Sequence, residues 1–158
     1  MIPRLELFYK SREQLSALST FVSQVKCSGV LFTNKSKDDD VVGDAAFFLK
    51  KFGSDIDVTA VYAIKAQWRP ADRKNGKSAE DVNFAIWSEF FKKATNANVR
   101  RVLLVTGNPK KPFDSVGFLK REASRRETNP LKTTKLLPRL GVAFSPYILD
   151  EDDRLLER

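Results

Sequence analysis

The order of segments predicts an α/β fold built on a parallel sheet, and three observations carry that expectation. Five short apolar segments rich in β-branched and aromatic residues alternate with stretches whose apolar residues recur at helical intervals. Apolar residues make up 42% of the chain and charged residues 30%, a balance that supports a core. At 158 residues the chain is the length of a single domain, 1–158.

Leu5-Glu6-Leu7-Phe8-Tyr9 opens as the first strand. Ser11 follows as an N-cap with Gln14 at capping-box spacing, and Leu15, Leu18, Phe21, Val22 and Val25 mark the helix behind it. Gly29 to Thr33 reads as the second strand. Asp38, Asp39 and Asp40 sit where acids favour a helix N-terminus, Val42, Ala45, Ala46, Leu49 and Phe52 give that helix its apolar face, and Gly53 stops it. Val58 to Ile64 is the third strand, followed by a polar loop, Arg69 to Lys77, longer than the usual strand–helix connection and so either functional or mobile. Ser78 with Asp81 starts a helix faced by Val82, Ile86, Phe90 and Ala94, with Trp87 and Phe91 beside them. Arg101 to Thr106 is an almost continuously apolar fourth strand, as burial on both faces requires. A helix over Phe113 to Arg126, a basic proline-interrupted stretch, a fifth strand over Leu140 to Phe144 and an acidic helix start at Asp150 complete the chain.

Strand–helix alternation with right-handed crossovers admits two architectures. An open doubly wound sheet of five strands is complete at this length. An eight-stranded barrel needs about 250 residues, so the chain would hold about five of its eight units. Length alone favours the open sheet.

Composition removes several chemistries. There is no histidine, which excludes histidine-based nucleophile systems, histidine general bases and imidazole zinc sites. The single cysteine, Cys27, excludes intrachain disulfides and thiolate metal clusters. No apolar run approaches the roughly 20 residues of a membrane span. Met1 to Arg4 runs almost directly into a strand, with no signal peptide or presequence, so a cytoplasmic location is expected, with a mitochondrial or other organellar assembly as the alternative. The net charge of +8 suits nucleic acid, phosphate or an acidic partner, although its spread along the chain favours solvated helix faces.

In either architecture the reactive face lies at the carboxyl ends of the strands. The chain places Tyr9, Lys10, Thr33, Asn34, Lys35, Lys65, Gln67, Trp68, Thr106, Gly107, Asn108, Ser145, Pro146 and Tyr147 there, a set with few acids that suits an anionic planar ligand. Thr106-Gly107-Asn108-Pro109-Lys110-Lys111 is the most specific local feature, an anion-friendly turn or a plain one with solvent-facing lysines. Glu6 points opposite to Leu5 and Leu7; buried on both faces it needs a partner or a raised pKa, on an edge strand it sits in water. Lys65 reads as a Schiff-base or phosphate lysine, or more commonly a snorkelling one. Trp68 and Trp87 read as packing residues. No Walker loop, dinucleotide fingerprint or metal motif is present.

Four segments resemble methylenetetrahydrofolate reductase, the flavin-dependent barrel family of one-carbon metabolism, and in particular its divergent relatives. Leu5 to Tyr9 resembles the F-E-F-F-P-P of the first strand. Val61-Tyr62-Ala63-Ile64-Lys65 resembles H-Y-S-L-K of the third. Val105-Thr106-Gly107-Asn108-Pro109 resembles the fourth-strand R-G-D-P-P turn. Gly141 to Tyr147 resembles G-V-A-x-N-P-Y of the fifth. The likeness spans nearly the whole chain and implies a partial or truncated TIM barrel, its first five strand–helix units. It also implies an oxidoreductase with Glu6 as the acid that protonates the folate, and FAD lying among Thr33, Tyr62, Lys65, Thr106, Gly107, Asn108 and Tyr147, with a folate-type small molecule as substrate. The departures are Asn108 in place of an aspartate, Val61 in place of a histidine, Tyr9-Lys10 in place of two prolines, and no counterpart of the last three units. They make activity uncertain and a degenerate relative an open alternative.

The second functional reading is a non-catalytic subunit of a larger assembly that docks through its basic surface, with a protein partner or self-association covering the open sheet edges. A third is nucleic-acid binding through Arg69, Arg73, Lys74, Lys77, Lys110, Lys111, Lys132, Lys135 and Arg139, with no recognition helix or stacking sheet to favour it.

Overall fold

The computed structural model describes residues 4–33, 38–106, 115–128 and 136–143. Along them run β1 (Arg4–Leu7), α1 (Arg12–Gln24), β2 (Gly29–Thr33), α2 (Val41–Phe52), β3 (Asp57–Ala63) and the short α3 (Ile64–Gln67). A single 3-10 turn, Arg73–Asn75, precedes α4 (Ala79–Asn96), which is followed by β4 (Arg101–Val105), α5 (Ser115–Thr128) and β5 (Arg139–Val142). Every neighbouring pair of strands is parallel, and the sheet order is β1-β2-β3-β4-β5.

That order decides which side the helices occupy. Right-handed crossovers that always step the same way lay every helix on one face, whereas a doubly wound sheet needs a reversal of direction. No reversal occurs among the described strands, so the doubly wound alternative is not the arrangement adopted. Side-chain alternation confirms the sidedness. Leu7, Phe32, Tyr62 and Leu104 share one face and one core with Leu15 and Val22 of α1, Phe48 of α2, Trp87 and Phe91 of α4 and Phe118 of α5. Phe32 meets Phe48 edge-on at 4.9 Å between ring centres, and Tyr62 meets Trp87 at 5.2 Å.

The opposite face carries rows set by the register. Glu6, Leu31, Thr59, Arg101 and Arg139 form one row across all five strands. Thr33, Val61, Leu103 and Gly141 form a row nearer the carboxyl ends. Here β4 is only half as apolar as its sequence suggests: Val102 and Leu104 are buried against helices, while Leu103 and Val105 on the other face are half-buried.

Local signals account for the helix ends. The Ser11 hydroxyl accepts from Gln14 N–H at 3.3 Å, and the Gln14 amide oxygen accepts from Lys10 N–H at 2.7 Å, one residue further back than an ordinary capping box. Asp40 caps α2 by accepting from Gly43 N–H at 3.1 Å, and Gly53 ends it at φ +61°. Ser78 caps α4 and donates to the Asp81 carboxylate at 2.6 Å. Gly29 is demanded by packing: a Cβ there would lie 2.4 Å from the Asp57 carbonyl oxygen.

Two expectations change. The buried stripe of α4 runs through Phe84, Trp87, Phe91 and Ala94, leaving Val82, Ile86 and Phe90 only half-buried, because the larger ring of Trp87 takes the centre of the sheet-facing side. The polar loop, Arg69 to Lys77, keeps its length but is not slack. It follows α3, and buried Asn83 clamps its start, accepting from Arg69 N–H at 2.8 Å and donating to the Arg69 carbonyl at 2.7 Å. The helix start expected at Asp150 lies outside the described residues. No helix among those described is long and apolar enough to cross a membrane.

Candidate functional site

The carboxyl ends of β1 and β2 open into a cleft of about 500 Å³. Leu7, Tyr9, Lys10, Arg12 and Thr33 line one side and Asp38, Asp39, Asp40 and Asp44 the other. Its organising group is Asp44, in the first turn of α2 and 9% exposed. One carboxylate oxygen accepts from the Tyr9 hydroxyl and the other from Arg12 Nη1 at 2.8 Å. Tyr9 is thereby held between strand and helix. Burial pushes its phenol far above the ordinary tyrosine value, the hydrogen bond and charge of Asp44 and the charge of Asp39 push it further, and Arg12 offsets a part. At this mouth Tyr9 is therefore a hydrogen-bond donor and not a base.

The mouth is consequently richer in acid than the sequence-derived set suggests. Among the described residues, Asp38, Asp39, Asp40 and Asp44 stand against Lys10 and Arg12 in this cleft. Asp38 to Asp40 are legible in sequence as helix-start residues. The Asp44–Tyr9 pair spans 35 residues and follows only from the sheet order.

The remaining candidates are dispersed. Glu6 is exposed on the open face of an edge strand, so the two-sided burial that would demand a partner does not arise. Thr33 is half-buried and lines the cleft from the same face. Tyr62 points the other way: it is 1% exposed, packed among Trp87, Phe90 and Phe118, and burial pushes its phenol well above the ordinary value, with Arg69 offsetting a part. Lys65 is exposed on α3. Thr106 accepts from Ser115 N–H at 3.0 Å, its hydroxyl committed to the first turn of α5. Gly107, Asn108 and Tyr147 lie outside the described residues. Glu6 and Thr33 thus share a face, whereas Tyr62 and Thr106 are engaged on the helix side. The described members of this set do not by themselves form a flavin cradle. Among the described residues no cluster of three or more acids, cysteines or histidines is arranged to hold a metal ion.

Comparison of the chain with protein-family models, with curated proteins and with solved structures returned no match.

Proposed function

We propose that the chain is a divergent methylenetetrahydrofolate reductase-like protein, an arc of a TIM barrel whose carboxyl-end mouth takes a flavin- or folate-type ligand. The observation that carries this reading is the unreversed strand order β1-β2-β3-β4-β5. A sheet wound in one direction places its open face where a closed barrel has its interior, and Glu6 and Thr33 lie on that face. In this reading Glu6 is the proton donor to the folate, and its exposure leaves it in exchange with water until a ligand covers it. Val61, in register with Thr33 and buried, stands where the family carries a histidine, which removes a polar hold on the ligand from β3.

The absorbance spectrum of the purified protein tests the proposal, together with the flavin released on denaturation. A yellow protein whose folate-dependent turnover falls in Glu6→Gln supports it. A colourless protein that releases no flavin and binds no reduced folate sinks it.

A second reading, a non-catalytic subunit with a partner over its surface, is favoured by three exposed large apolar side chains among the described residues. Phe8 is 61% exposed, Phe21 51% and Leu136 80%. A monodisperse monomer at every salt concentration argues against it.

A further inference from the structure

At the end of the sheet opposite the mouth, arginines gather in a way that folding alone does not reward. Arg101 and Arg139 are register partners on adjacent parallel strands, with backbones about 4.8 Å apart and side chains on the same face. Like charges placed side by side on a sheet destabilise it. Arg100 stands beside them, its carbonyl accepting from Arg139 N–H at 2.8 Å, and Arg4 lies along the same edge of β1 to β3. Among the described residues compensation is scarce. Asp57 pairs with Arg4 and, at 2.9 Å, with Arg101 Nε. Arg100 and Arg139 make no ion pair with any described carboxylate.

Arg100, Arg101 and Arg139 line a cleft of about 470 Å³ whose floor is apolar: Leu49, Ile56, Val58 and Leu137. Leu136, 80% exposed, forms part of its wall. Among the described residues Asp57 is the one acid lining it. We propose that this cleft binds a phosphorylated small molecule, its phosphate held by Arg100 and Arg139 and its apolar part resting on the leucine, isoleucine and valine floor. Three considerations fix the class of ligand. A guanidinium fork matches phosphate oxygens two at a time, and an anion between Arg101 and Arg139 cancels the repulsion that the strand register imposes. The volume falls within the range of about 300–1,000 Å³ typical of small-ligand sites. A nucleic-acid strand, by contrast, needs an extended basic track, whereas here the positive groups converge on one concavity with a carboxylate among them. The site is remote from the carboxyl-end mouth and independent of the function proposed there.

Calorimetric titration and thermal melting of the full chain, with inorganic phosphate and phenyl phosphate as probes, test the proposal. Phenyl phosphate should bind about tenfold more tightly than inorganic phosphate, the ring adding apolar contact, and both should raise the melting temperature. Arg100→Gln combined with Arg139→Gln should melt at the same or a higher temperature in phosphate-free buffer, because the repulsion is gone. The same variant should lose affinity by about tenfold or more. Arg139→Lys keeps the charge without the fork and should weaken binding while leaving folding intact; Lys77→Gln, elsewhere on the surface, should change nothing. The proposal fails if neither probe binds, if the double variant or Arg139→Lys retains full affinity, or if phenyl phosphate shows no advantage. It fails equally if a single-stranded oligonucleotide displaces phenyl phosphate, since the surface is then a polymer track.

Discussion

On the helix-covered side of the sheet Glu122 of α5 is shut away from water, while at the amino end of the open side Asp57 stays partly in contact with it. Each of the two carboxylates is shared by two arginines, but in different surroundings. Glu122 alone receives Trp87 Nε1 at 3.4 Å, Arg125 Nη2 at 2.6 Å and Arg126 Nε at 2.9 Å, so its charge is fully answered. Burial alone would raise its carboxyl, but the hydrogen bonds and charges of Arg125 and Arg126 outweigh that and hold it below the usual glutamate value. Asp57 is divided between Arg4 and Arg101 and leaves Arg100 and Arg139 unmatched among the described residues. The buried carboxylate serves the fold; at the amino end, the arginines left over among the described residues give an outside anion something to gain.

The comparison breaks most visibly at Trp87, which joins both halves of the covered side. Trp87→Ala should cost about 3–5 kcal/mol in urea unfolding, through the cavity and the lost aromatic contacts. Glu122→Ala should cost about 2–4 kcal/mol, because two arginines and an indole N–H lose their shared acceptor. The pH dependence sharpens this. A folded-state pKa held below the unfolded value stabilises the fold above the unfolded pKa and loses that contribution as pH falls. The melting temperature of the native chain should therefore drop as pH falls toward and below about 4, and Glu122→Gln should flatten that part of the profile. Tyr9→Phe should cost about 1–2 kcal/mol, leaving Asp44 with Arg12 alone. Glu6→Gln should shift stability by less than about 0.5 kcal/mol, being exposed on an edge strand; a larger loss would place Glu6 in the structural class and not on an open face.

Much of this architecture was legible in the chain because it depends on local signals. Ser11, Asp40, Gly53 and Ser78 mark helix ends through hydrogen bonds a few residues long, and Gly29 to Thr33 is a strand with the limits its β-branched and aromatic content implies. The unreversed sheet order was not legible, since crossover handedness permits either direction of stepping and only packing selects one. The site suffered most from the same gap. Tyr9 and Asp44 meet across a long stretch of chain, and the acidity of the mouth comes from residues that sequence spacing assigns only to capping. Tyr62 shows the converse: the family resemblance implies a flavin contact, whereas alternation from Phe32 and Leu104 commits it to the core. The α3 turn went unanticipated because Ile64-Lys65-Ala66-Gln67 is too short to display a helical period.

The order of the strands also bears on how the chain acquires its shape. Each strand pairs with the one made immediately before it, so no part of the sheet waits for a remote segment to be synthesised. The longest described step, from β3 to β4, carries α3, the 3-10 turn and α4, yet still joins consecutive strands, which suits assembly one unit at a time as the polypeptide leaves the ribosome. Growth of such a ribbon is an additive process, in which every completed strand–helix unit offers the next a ready template.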